Sequence, residues 1–469
     1  MRKRSVYKKT ISIVNETPME MYENLVGKKK GFLLESYDKN YDRYTFFGAE
    51  PEEIITSRGN ALVITAADGT ETIREGNPLE LLKEYYSDFE IVKDADGIHF
   101  PGGLVGNLGY DFVRYTEQLP DDNPDEIGIE TIQMMLMTHF VMVDHVAETL
   151  TAVALEADDE DGRKAAEQAI EKMIEAVRTK TKKTQKTALI HDGRIVKKSD
   201  TLEQYSSKVE KIKAYIRQGH IFQTVLSQRW EIETKQDGFE LYRQLRELNP
   251  SPYLYYFNYG DFEVIGSSPE MIVKQQGSRV YTCPIAGTRK RGRDAAEDER
   301  LRKELLSDEK ERAEHVMLVD LARNDMGRIA EFGSVKVTQF MQVHNYSHVM
   351  HIVSEVEGRK KGEFHPLDLV SSFLPAGTLS GAPKIRAMEI IDELETVRRG
   401  LYGGATGYID FSGNMDFCIT IRTMIKKGDR VYLQAGAGIV ADSVPENEYA
   451  ECCNKVMALA KTLVEEENL

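Results

Sequence analysis

Two short segments of the sequence each carry a pair of glutamates three residues apart. Glu311 and Glu314 lie in EKERAEHVMLVDLARND, and Glu448 and Glu451 lie in PENEYAECCNK. On a helix this spacing places both carboxylates of a pair on one face. Two such faces that meet would suit Mg²⁺, which binds through few carboxylates and keeps waters and substrate oxygens. The spacing alone favours the plainer alternative of two solvated helix faces.

A fifth carboxylate, Glu270, follows a Ser-Ser-Pro turn in GSSPEM, at the end of a predicted strand. A partly buried carboxyl group at this position would have a raised pKa and would serve as a general acid. A capping carboxylate that accepts backbone hydrogen bonds explains the position equally well. Both interpretations stay open on the sequence alone.

Three histidines, His344, His348 and His351, lie close together in a β-rich stretch. On one strand His344 and His348 would face one side and His351 the other, so a shared three-histidine metal site is not expected. His351 lies among apolar neighbours in HVMHIVSEV. The default interpretation is a core histidine, and the more specific alternative is a catalytic base.

Turns of small residues recur in PIAGT, PAGTLSGAP and QAGAGI, and their exposed N–H groups would bind carboxylates or phosphates. Arg422 is predicted at an inward-facing position of the strand CITIRTM. A buried arginine usually has an anionic partner, here either a substrate carboxylate or a structural Asp or Glu. The basic run from Arg289 to Arg293, after PIAGT, is interpreted as a mobile surface segment.

The composition indicates a globular protein with a sizeable core. The chain has 469 residues, of which 41% are hydrophobic and 29% charged, and its formal net charge is -16. This charge argues against a nucleic-acid-binding surface. No apolar run approaches the roughly 20 residues of a membrane helix, and no signal peptide is recognised, so a cytoplasmic protein is expected. None of the four cysteines forms a CxxC pair, which disfavours zinc and a disulfide framework.

The elements that must position these residues fall into two parts, divided near residues 189–200. The first part is predicted to contain short strands, a hairpin around Asp68-Gly69 and, after Glu156, an amphipathic helix followed by a basic linker. The second part is predicted to contain helices over 205–218, 295–328, 383–393 and 445–466. Its predicted strands are TVLSQRWEIET, PYLYYFNY, FEVIGSS, ATGYIDF, DFCITIRTMI and RVYLQAGAG.

The order of many segments resembles that of the chorismate-utilising enzymes. From about Leu202 onward the chain contains IFQTVLSQR, SSPEM, PIAGTRKRG, EHVMLVDLARND, HIVSEVEG, LPAGTLSGAPK, YGGATGYI, IRTM and QAGAGIVADSVPENEYAE. So many ordered motifs argue against a chance match. The resemblance implies an α+β fold of two layers, with antiparallel β-sheets in a sandwich flanked by helices. It also implies an interleaved N-terminal regulatory region, residues 1–195, and a catalytic region, residues 196–469.

Two positions indicate the branch of this family that the chain resembles. Isochorismate- and salicylate-forming members have a lysine where this chain has Gln223, and aminodeoxychorismate synthases commonly have one where it has Ala286. In lacking both lysines, the chain resembles component I of the anthranilate synthases, in which ammonia attacks ring carbon 2 of chorismate directly. An aminodeoxychorismate synthase with an atypical alanine is the alternative. A non-catalytic regulatory homologue is a third alternative. It would be expected to have lost acidic residues of the site, whereas all of them are present.

The resemblance also implies roles for individual residues. Mg²⁺ would be held by Glu314 and Glu451 with Glu311 and Glu448 nearby, while Glu270 would protonate the leaving 4-hydroxyl and His351 would assist pyruvate elimination. Substrate would be bound by Gly287, Thr288, Thr378, Tyr402, Arg422 and the backbone of Gly436, Ala437 and Gly438. The implied enzyme is a Mg²⁺-dependent lyase of tryptophan biosynthesis that releases anthranilate and pyruvate.

A weaker resemblance concerns regulation and partners. LLES, RYTFFG and NPSPYLYYF are similar to tryptophan-binding elements of the same enzymes, which would place Ser36, Pro252, Tyr253 and Leu254 in a feedback-inhibitor pocket. A hydrophobic seam between domains is the alternative. No cysteine lies in the context of a glutaminase nucleophile, so a separate glutamine amidotransferase subunit, component II, is the expected source of ammonia.

Overall fold

The structure, a computed structural model, describes residues 1–13, 16–36, 43–93, 100–179, 191–345 and 349–465. The helices in this part of the chain are α1 (Pro18–Leu25), α2 (Pro78–Ser87), α3 (Glu160–Arg178), α4 (Leu202–Arg217), α5 (Gly238–Leu248), α6 (Ala295–Ser307), α7 (Glu309–Ile329), α8 (Pro366–Phe373), α9 (Lys384–Leu394) and α10 (Pro445–Ala460). Short 3-10 turns span Tyr110–Tyr115 and Gly377–Leu379. Among the residues described, no helix is both long and apolar enough to span a membrane.

The strands of the N-terminal part are β1 (Arg2–Ser12), β2 (Gly31–Glu35), β3 (Tyr44–Ala49), β4 (Glu53–Ser57), β5 (Ala61–Ala66), β6 (Glu71–Glu75), β7 (Phe89–Lys93), β8 (Gly103–Leu108), β9 (Ile132–Met137), β10 (His139–Asp144), β11 (Thr149–Ala157) and β12 (Arg194–Lys198). Those that follow are β13 (Gln223–Glu233), β14 (Tyr253–Asn258), β15 (Glu263–Ser268), β16 (Met271–Gln276), β17 (Arg279–Thr282), β18 (Ile285–Lys290), β19 (Lys336–Asn345), β20 (Val349–Arg359), β21 (Gly381–Ala382), β22 (Ala405–Asp410), β23 (Met415–Ile419), β24 (Thr423–Lys427) and β25 (Arg430–Ile439).

These strands form two large sheets. The first has the order β12-β13-β25-β24-β15-β14-β2-β3-β10-β11-β1-β7, with β21 beside β13, and the second has the order β18-β20-β17-β16-β23-β22-β8-β9-β4-β5-β6, with β19 beside β20. The expected α+β architecture is confirmed, although β1 and β7 pair in parallel. Each sheet takes strands from both halves of the chain, and the predicted boundary after residue 195 falls within β12.

The two sheets pack face to face, and helices cover their outer faces. The pattern of β14 shows why: Tyr255 and Phe257 point into the core between the sheets, whereas Leu254 and Tyr256 pack beneath the helices, with Tyr242 of α5. A strand that is buried on both faces needs an apolar run rather than an alternating pattern. PYLYYFNY supplies that run, and its predicted hairpin with FEVIGSS is confirmed by the pairing of β14 with β15.

Two adjacent segments of chain cross from one sheet to the other. Pro269 and Glu270 connect β15 of the first sheet to β16 of the second, and residues 420–422 connect β23 of the second sheet to β24 of the first. The crossings lie side by side, since the amide of Ile419 donates to the carbonyl of Glu270 over 2.9 Å. The single strand predicted for DFCITIRTMI is therefore wrong, because the chain changes sheets at its centre.

Two further predictions need correction. The helical run predicted over 295–328 divides at Asp308, whose extended backbone ends α6 and whose side chain accepts from the amides of Lys310 and Glu311 at the start of α7. The histidine-rich stretch is a hairpin rather than one strand, so His344 of β19 lies directly opposite His351 of β20. His348 lies outside the described residues.

Candidate active site

A cavity of about 230 Å³ lies where the two crossings meet β13, β25, α7 and α10. Most of the predicted site residues line it: Glu270, Thr288, Glu314, His351, Thr378, Tyr402, Arg422, Gly436, Gly438 and Glu451. Gly287, Ala437, Glu311 and Glu448 are not among its lining residues. Ala437 packs instead in an apolar cluster with Leu226 and Ile439. The fold thus brings together residues that are up to 181 positions apart, from Glu270 to Glu451.

Glu270 lies at the first crossing and is buried, with 8% of its surface exposed. Burial raises the pKa of its carboxyl group to about 8, while the hydroxyl of Thr378 and the charge of Lys455 act in the opposite direction. Thr378 donates to Oε1 of Glu270 over 3.1 Å from the 3-10 turn Gly377–Leu379. A carboxyl group with this pKa is protonated at neutral pH, so it can donate a proton to a ligand in the cavity.

His351, on β20, is oriented by the turn of small residues in PIAGT, residues 284–288. Its Nδ1 lies 2.9 Å from the carbonyl oxygen of Gly287 and 3.1 Å from the hydroxyl of Thr288. Because a carbonyl only accepts, Nδ1 carries the proton and Nε2 is the basic nitrogen of the neutral ring. Burial, and then the charge of Arg422, lower the pKa of the imidazole, although the bond to Gly287 acts against them. A neutral histidine of this tautomer is suited to accept a proton.

Gly287 can orient His351 because of its own backbone conformation. Its φ of +66° lies in the left-handed region, and a Cβ there would stand 3.1 Å from Oε2 of Glu311. The turn therefore favours glycine, and a side chain there would also crowd the carboxylate of Glu311. Its backbone carbonyl orients His351, which is a different task from the substrate contact that the sequence comparison implies.

Arg422 lies at the second crossing, not on a strand, and its φ is +52°. The crossing turns its partly buried side chain toward the cavity, where burial lowers the pKa of the guanidinium, while Tyr402 and Glu451 raise it. Among the residues described, no ion pair or side-chain hydrogen bond engages this guanidinium. A partly buried arginine without a carboxylate partner is suited to bind an anionic ligand, so the structural Asp or Glu alternative is not supported.

The two glutamate pairs lie on α7 and α10, and Glu314 and Glu451 face the cavity from opposite helices. Burial raises the pKa of Glu314, as do the charges of Glu311 and Glu451; burial and Glu451 likewise raise the pKa of Glu448. Within the described ranges, no three His, Cys, Asp or Glu side chains converge as a metal site. Carboxylates that repel one another across a cavity nevertheless suit a divalent cation bound by two of them with substrate oxygens.

One cation near these acids, Lys455, was not predicted from the sequence, and the basic run Arg289 to Arg293 was given no role in the site. Lys455 lines the cavity, forms an ion pair with Oε1 of Glu451 at 2.7 Å and donates to the carbonyl of Gly436 over 2.9 Å. Its position four residues after Glu451 on a helix was the available signal. Arg289 contacts Glu311, and Arg291 and Arg293 form ion pairs with Asp298 and Glu297. The basic run thus forms the end of β18 and the loop after it, and these three arginines pair with acidic residues of α6 and α7.

The two positions at which lysines occur elsewhere both face the cavity. Gln223 is buried at the start of β13, and its Oε1 accepts no hydrogen bond from the described residues. Ala286 lies on β18 and is also buried. Neither position offers an amine to the cavity. The fold therefore presents an amide and a methyl group at these points beside Glu270 and Arg422.

Comparison with known proteins agrees with this geometry. The sequence profile of the family described as chorismate binding enzyme matches residues 29–461. This chain belongs to that family. Anthranilate synthase component 1 of Acetivibrio thermocellus is 46% identical to it over 460 residues, which cover 96% of this chain and 93% of the relative. The protein of the same name from Bacillus subtilis strain 168 is 43% identical, over 97% of this chain and 91% of the relative.

A solved member of the family has the same fold. The crystal structure of anthranilate synthase component I from Streptococcus pneumoniae TIGR4 superposes with a TM-score of 0.81 and 37% sequence identity. The match covers 95% of this chain and 97% of that one. The sandwich of interleaved sheets expected from the sequence is therefore the fold of this chorismate binding enzyme.

Two of the residues predicted to bind an inhibitor, Ser36 and Tyr253, are neighbours across two strands, whereas Leu254 points to the opposite face of β14. β2 pairs with β14, and Glu35 is the register partner of Leu254, so Ser36 lies next to Tyr253 at the end of that ladder. The Ser36 hydroxyl is buried and has no hydrogen-bond partner among the described residues. The hydroxyl of Tyr253 donates to Asp416 over 2.9 Å. A buried, unpaired hydroxyl is a candidate contact for a polar ligand.

Proposed function

We propose that this chorismate binding enzyme acts as component I of an anthranilate synthase. In that reaction chorismate and ammonia yield anthranilate, pyruvate and water. The observation that carries the proposal is the cavity wall, where Gln223 and Ala286 stand at the two lysine positions, beside the buried Glu270 and an Arg422 that no described carboxylate pairs with. Lys455 also lines the cavity, but its ammonium group donates to the carbonyl of Gly436 over 2.9 Å, a contact that remains when Mg²⁺ takes Glu451, so it is a poor nucleophile.

The binding step follows from charge. Chorismate carries two carboxylates, and the guanidinium of Arg422 would bind the enolpyruvyl carboxylate together with the backbone of Gly436 and Gly438. Hydrogen bonds between a guanidinium and a carboxylate are about twice as strong as neutral ones, and they fix orientation. Tyr402, buried at the same wall, would support that carboxylate through its hydroxyl.

The proton transfers follow from the pKa values. Glu270 would donate its proton to the ring hydroxyl as ammonia forms the C–N bond at ring carbon 2, so that water leaves. Nε2 of the neutral His351 would then accept the ring proton that is lost on aromatisation. The bond between the ring and the ether oxygen breaks as this proton is lost, and the released enolpyruvyl group takes up one proton at its methylene carbon to become pyruvate, so that the protons of the elimination balance. The reaction is an elimination, which makes the protein a lyase.

The carboxylates of Glu314 and Glu451 would hold Mg²⁺, with Glu311 and Glu448 one helical turn away on each side. When bound, the ion would neutralise the ring carboxylate of chorismate and act as a Lewis acid. Because only two of the four carboxylates on α7 and α10 face the cavity, coordination positions remain for substrate oxygens.

Ammonia, regulation and location complete the proposal. The name component 1 of the relatives implies a second component, and we propose that a glutamine amidotransferase subunit, component II, supplies ammonia from glutamine. We further propose that tryptophan inhibits the enzyme by binding near Ser36, Pro252, Tyr253 and Leu254. We also propose a cytoplasmic location, because the relatives are bacterial biosynthetic enzymes.

A product assay tests the proposal. The purified chain is incubated with chorismate, Mg²⁺ and an ammonium salt at mildly alkaline pH, with and without tryptophan, and the products are separated by chromatography. Anthranilate and pyruvate, suppressed by tryptophan, are expected. Aminodeoxychorismate without pyruvate would instead assign the protein to the folate branch. No consumption of chorismate would support a non-catalytic homologue.

A further inference from the structure

Arg289 makes the most extensive ion-pair contacts near the acidic side of the cavity. It follows Thr288 on β18, and its guanidinium contacts three carboxylates: Glu304 at 3.2 Å, Asp308 at 2.9 Å and Glu311 at 3.1 Å. Asp308 is the residue that ends α6 and caps α7. Arg289 therefore connects the strand that borders the cavity to the first turn of the helix that carries Glu311 and Glu314.

Glu311 is held by Arg289. Its Oε1 accepts from the guanidinium of Arg289 over 3.1 Å, and its Oε2 lies beside Gly287, 3.1 Å from the point where a Cβ at that glycine would stand. Glu311 is not among the residues that line the cavity, whereas Glu314, one turn later, is. The guanidinium thus points Glu311 away from the place where Glu314 faces Glu451.

The ion pair of Lys455, on α10, is easier to break than the ion pairs of Arg289. Lys455 contacts Glu451 through one i,i+4 pair, in which Glu451 is half exposed. Such pairs contribute little and rearrange readily. The planar fork of Arg289, with contacts to three carboxylates, loses more when it is broken. A metal ion can therefore displace Lys455 from Glu451 more easily than it can displace Arg289 from Glu311.

We propose that Arg289 acts as a built-in counter-cation that withholds Glu311 from the magnesium site and so limits the affinity of the enzyme for Mg²⁺. This inference rests on the proposed binding of Mg²⁺ by Glu314 and Glu451. If Glu311 were free to join Glu314 and Glu451, its carboxylate would occupy a coordination position of the ion. It would also cancel positive charge that the ring carboxylate of chorismate needs. Arg289 is a positioning residue in this scheme, because it acts through Glu311.

Isothermal titration of the purified chain with MgCl₂, without substrate, tests the proposal. Arg289→Met removes a cation and releases Glu311, so Mg²⁺ should bind about tenfold more tightly than to the wild type. Arg289→Lys keeps the charge but loses the fork, and an intermediate affinity is expected. The control is Arg291→Met, which removes a neighbouring arginine whose partner, Asp298, lies on α6 and not on the helix that carries Glu311 and Glu314. Its affinity for Mg²⁺ should equal that of the wild type.

The outcomes separate this proposal from the proposed function. Unchanged or weaker Mg²⁺ binding by Arg289→Met overturns the proposal, because Arg289 would then only support α7. An equal gain in Arg291→Met also overturns it, since net charge alone would explain the effect. If Arg289→Met does not fold, unchanged affinity in Arg289→Lys has the same meaning. A wild-type chain that binds no Mg²⁺ would overturn the magnesium assignment itself. A KM for chorismate that rises in Arg289→Met would support the stated consequence.

Discussion

The hydroxyl of Thr378 donates a hydrogen bond to Oε1 of Glu270 over 3.1 Å. The bond joins the 3-10 turn Gly377–Leu379 to the crossing between the two sheets. Burial raises the pKa of Glu270 to about 8, and this bond acts against burial because it stabilises the charged carboxylate. The turn therefore helps to set the pH range in which Glu270 is protonated.

Thr378→Val should move the alkaline limit of activity to higher pH. The substitution removes the bond that lowers the pKa of Glu270, so the carboxyl group stays protonated above pH 8. The measurement is kcat/KM against pH at a constant concentration of free ammonia, which separates the enzyme's titration from that of its substrate. Thr378→Ser keeps a hydroxyl and should retain the wild-type limit. An unchanged limit in the valine variant would argue against this contact.

Glu270→Gln should lower turnover by about 10²- to 10⁴-fold, the usual contribution of a general acid. The amide keeps the shape of the side chain but has no proton to transfer to the leaving hydroxyl. Binding of chorismate, measured by equilibrium titration without ammonia, should persist because Arg422 is unchanged. A variant with full activity would exclude Glu270 as the acid. Loss of binding would assign it to substrate recognition.

Arg422→Met should raise the KM for chorismate by about 10- to 100-fold, because charge-assisted hydrogen bonds contribute about 1.5–3 kcal/mol. The guanidinium lines the cavity and is not engaged by a described carboxylate, so its removal leaves no protein charge unpaired. Steady-state kinetics with varied chorismate measure the effect. Arg430→Met is the matched control, because Arg430 pairs with Glu231 at the partly exposed start of β25 and does not line the cavity. Similar KM values in both variants would refute the carboxylate contact.

Gly436→Ala should be more harmful than Gly438→Ala. A Cβ at Gly436 would stand 2.8 Å from Cγ1 of Val225 and 3.0 Å from both the Leu226 carbonyl and the Tyr402 hydroxyl. At Gly438 the close contact is Nε2 of Gln223, at 2.6 Å, the mobile end of a side chain. Overpacking of a rigid wall costs about 1–3 kcal/mol. Thermal unfolding should therefore shift down in Gly436→Ala, whereas Gly438→Ala should retain stability and change KM. Equal melting temperatures would contradict this ranking.

Local patterns predicted the elements of the fold but not the crossings between its sheets. The β14–β15 hairpin and α3 follow from turn residues and from apolar periodicity. At Arg422 the alternation of CITIRTM continues without a break, so the sequence gives no local sign that the strand changes sheets or that Arg422 has a φ of +52°. Only the pairing of β23 and β24 with different neighbours determines that position.

The role of the basic residue Arg289 could not be predicted from the sequence, for a related reason. Arg289 can be interpreted only when β18, the end of α6 and the start of α7 are seen together. The division at Asp308 did have a sequence signal, since an aspartate before Glu309 is a favourable N-cap. Helix-forming residues on both sides concealed it. The catalytic residues were named mainly from motif order, and their distances required the tertiary structure.

Ser36→Ala should weaken inhibition by tryptophan about tenfold, the usual effect of losing one hydrogen bond. The Ser36 hydroxyl is buried without a partner beside the β2–β14 ladder, so a ligand there would supply the missing bond. Ammonium-dependent synthesis of anthranilate, measured against tryptophan concentration, gives the inhibition constant. Ser87→Ala, at the exposed end of α2, should be inhibited like the wild type. Because Ser36 does not line the catalytic cavity, the uninhibited rate should be unchanged in both variants. Inhibition of Ser36→Ala at wild-type concentrations of tryptophan would place the inhibitor elsewhere and leave the apolar seam as the explanation of these residues.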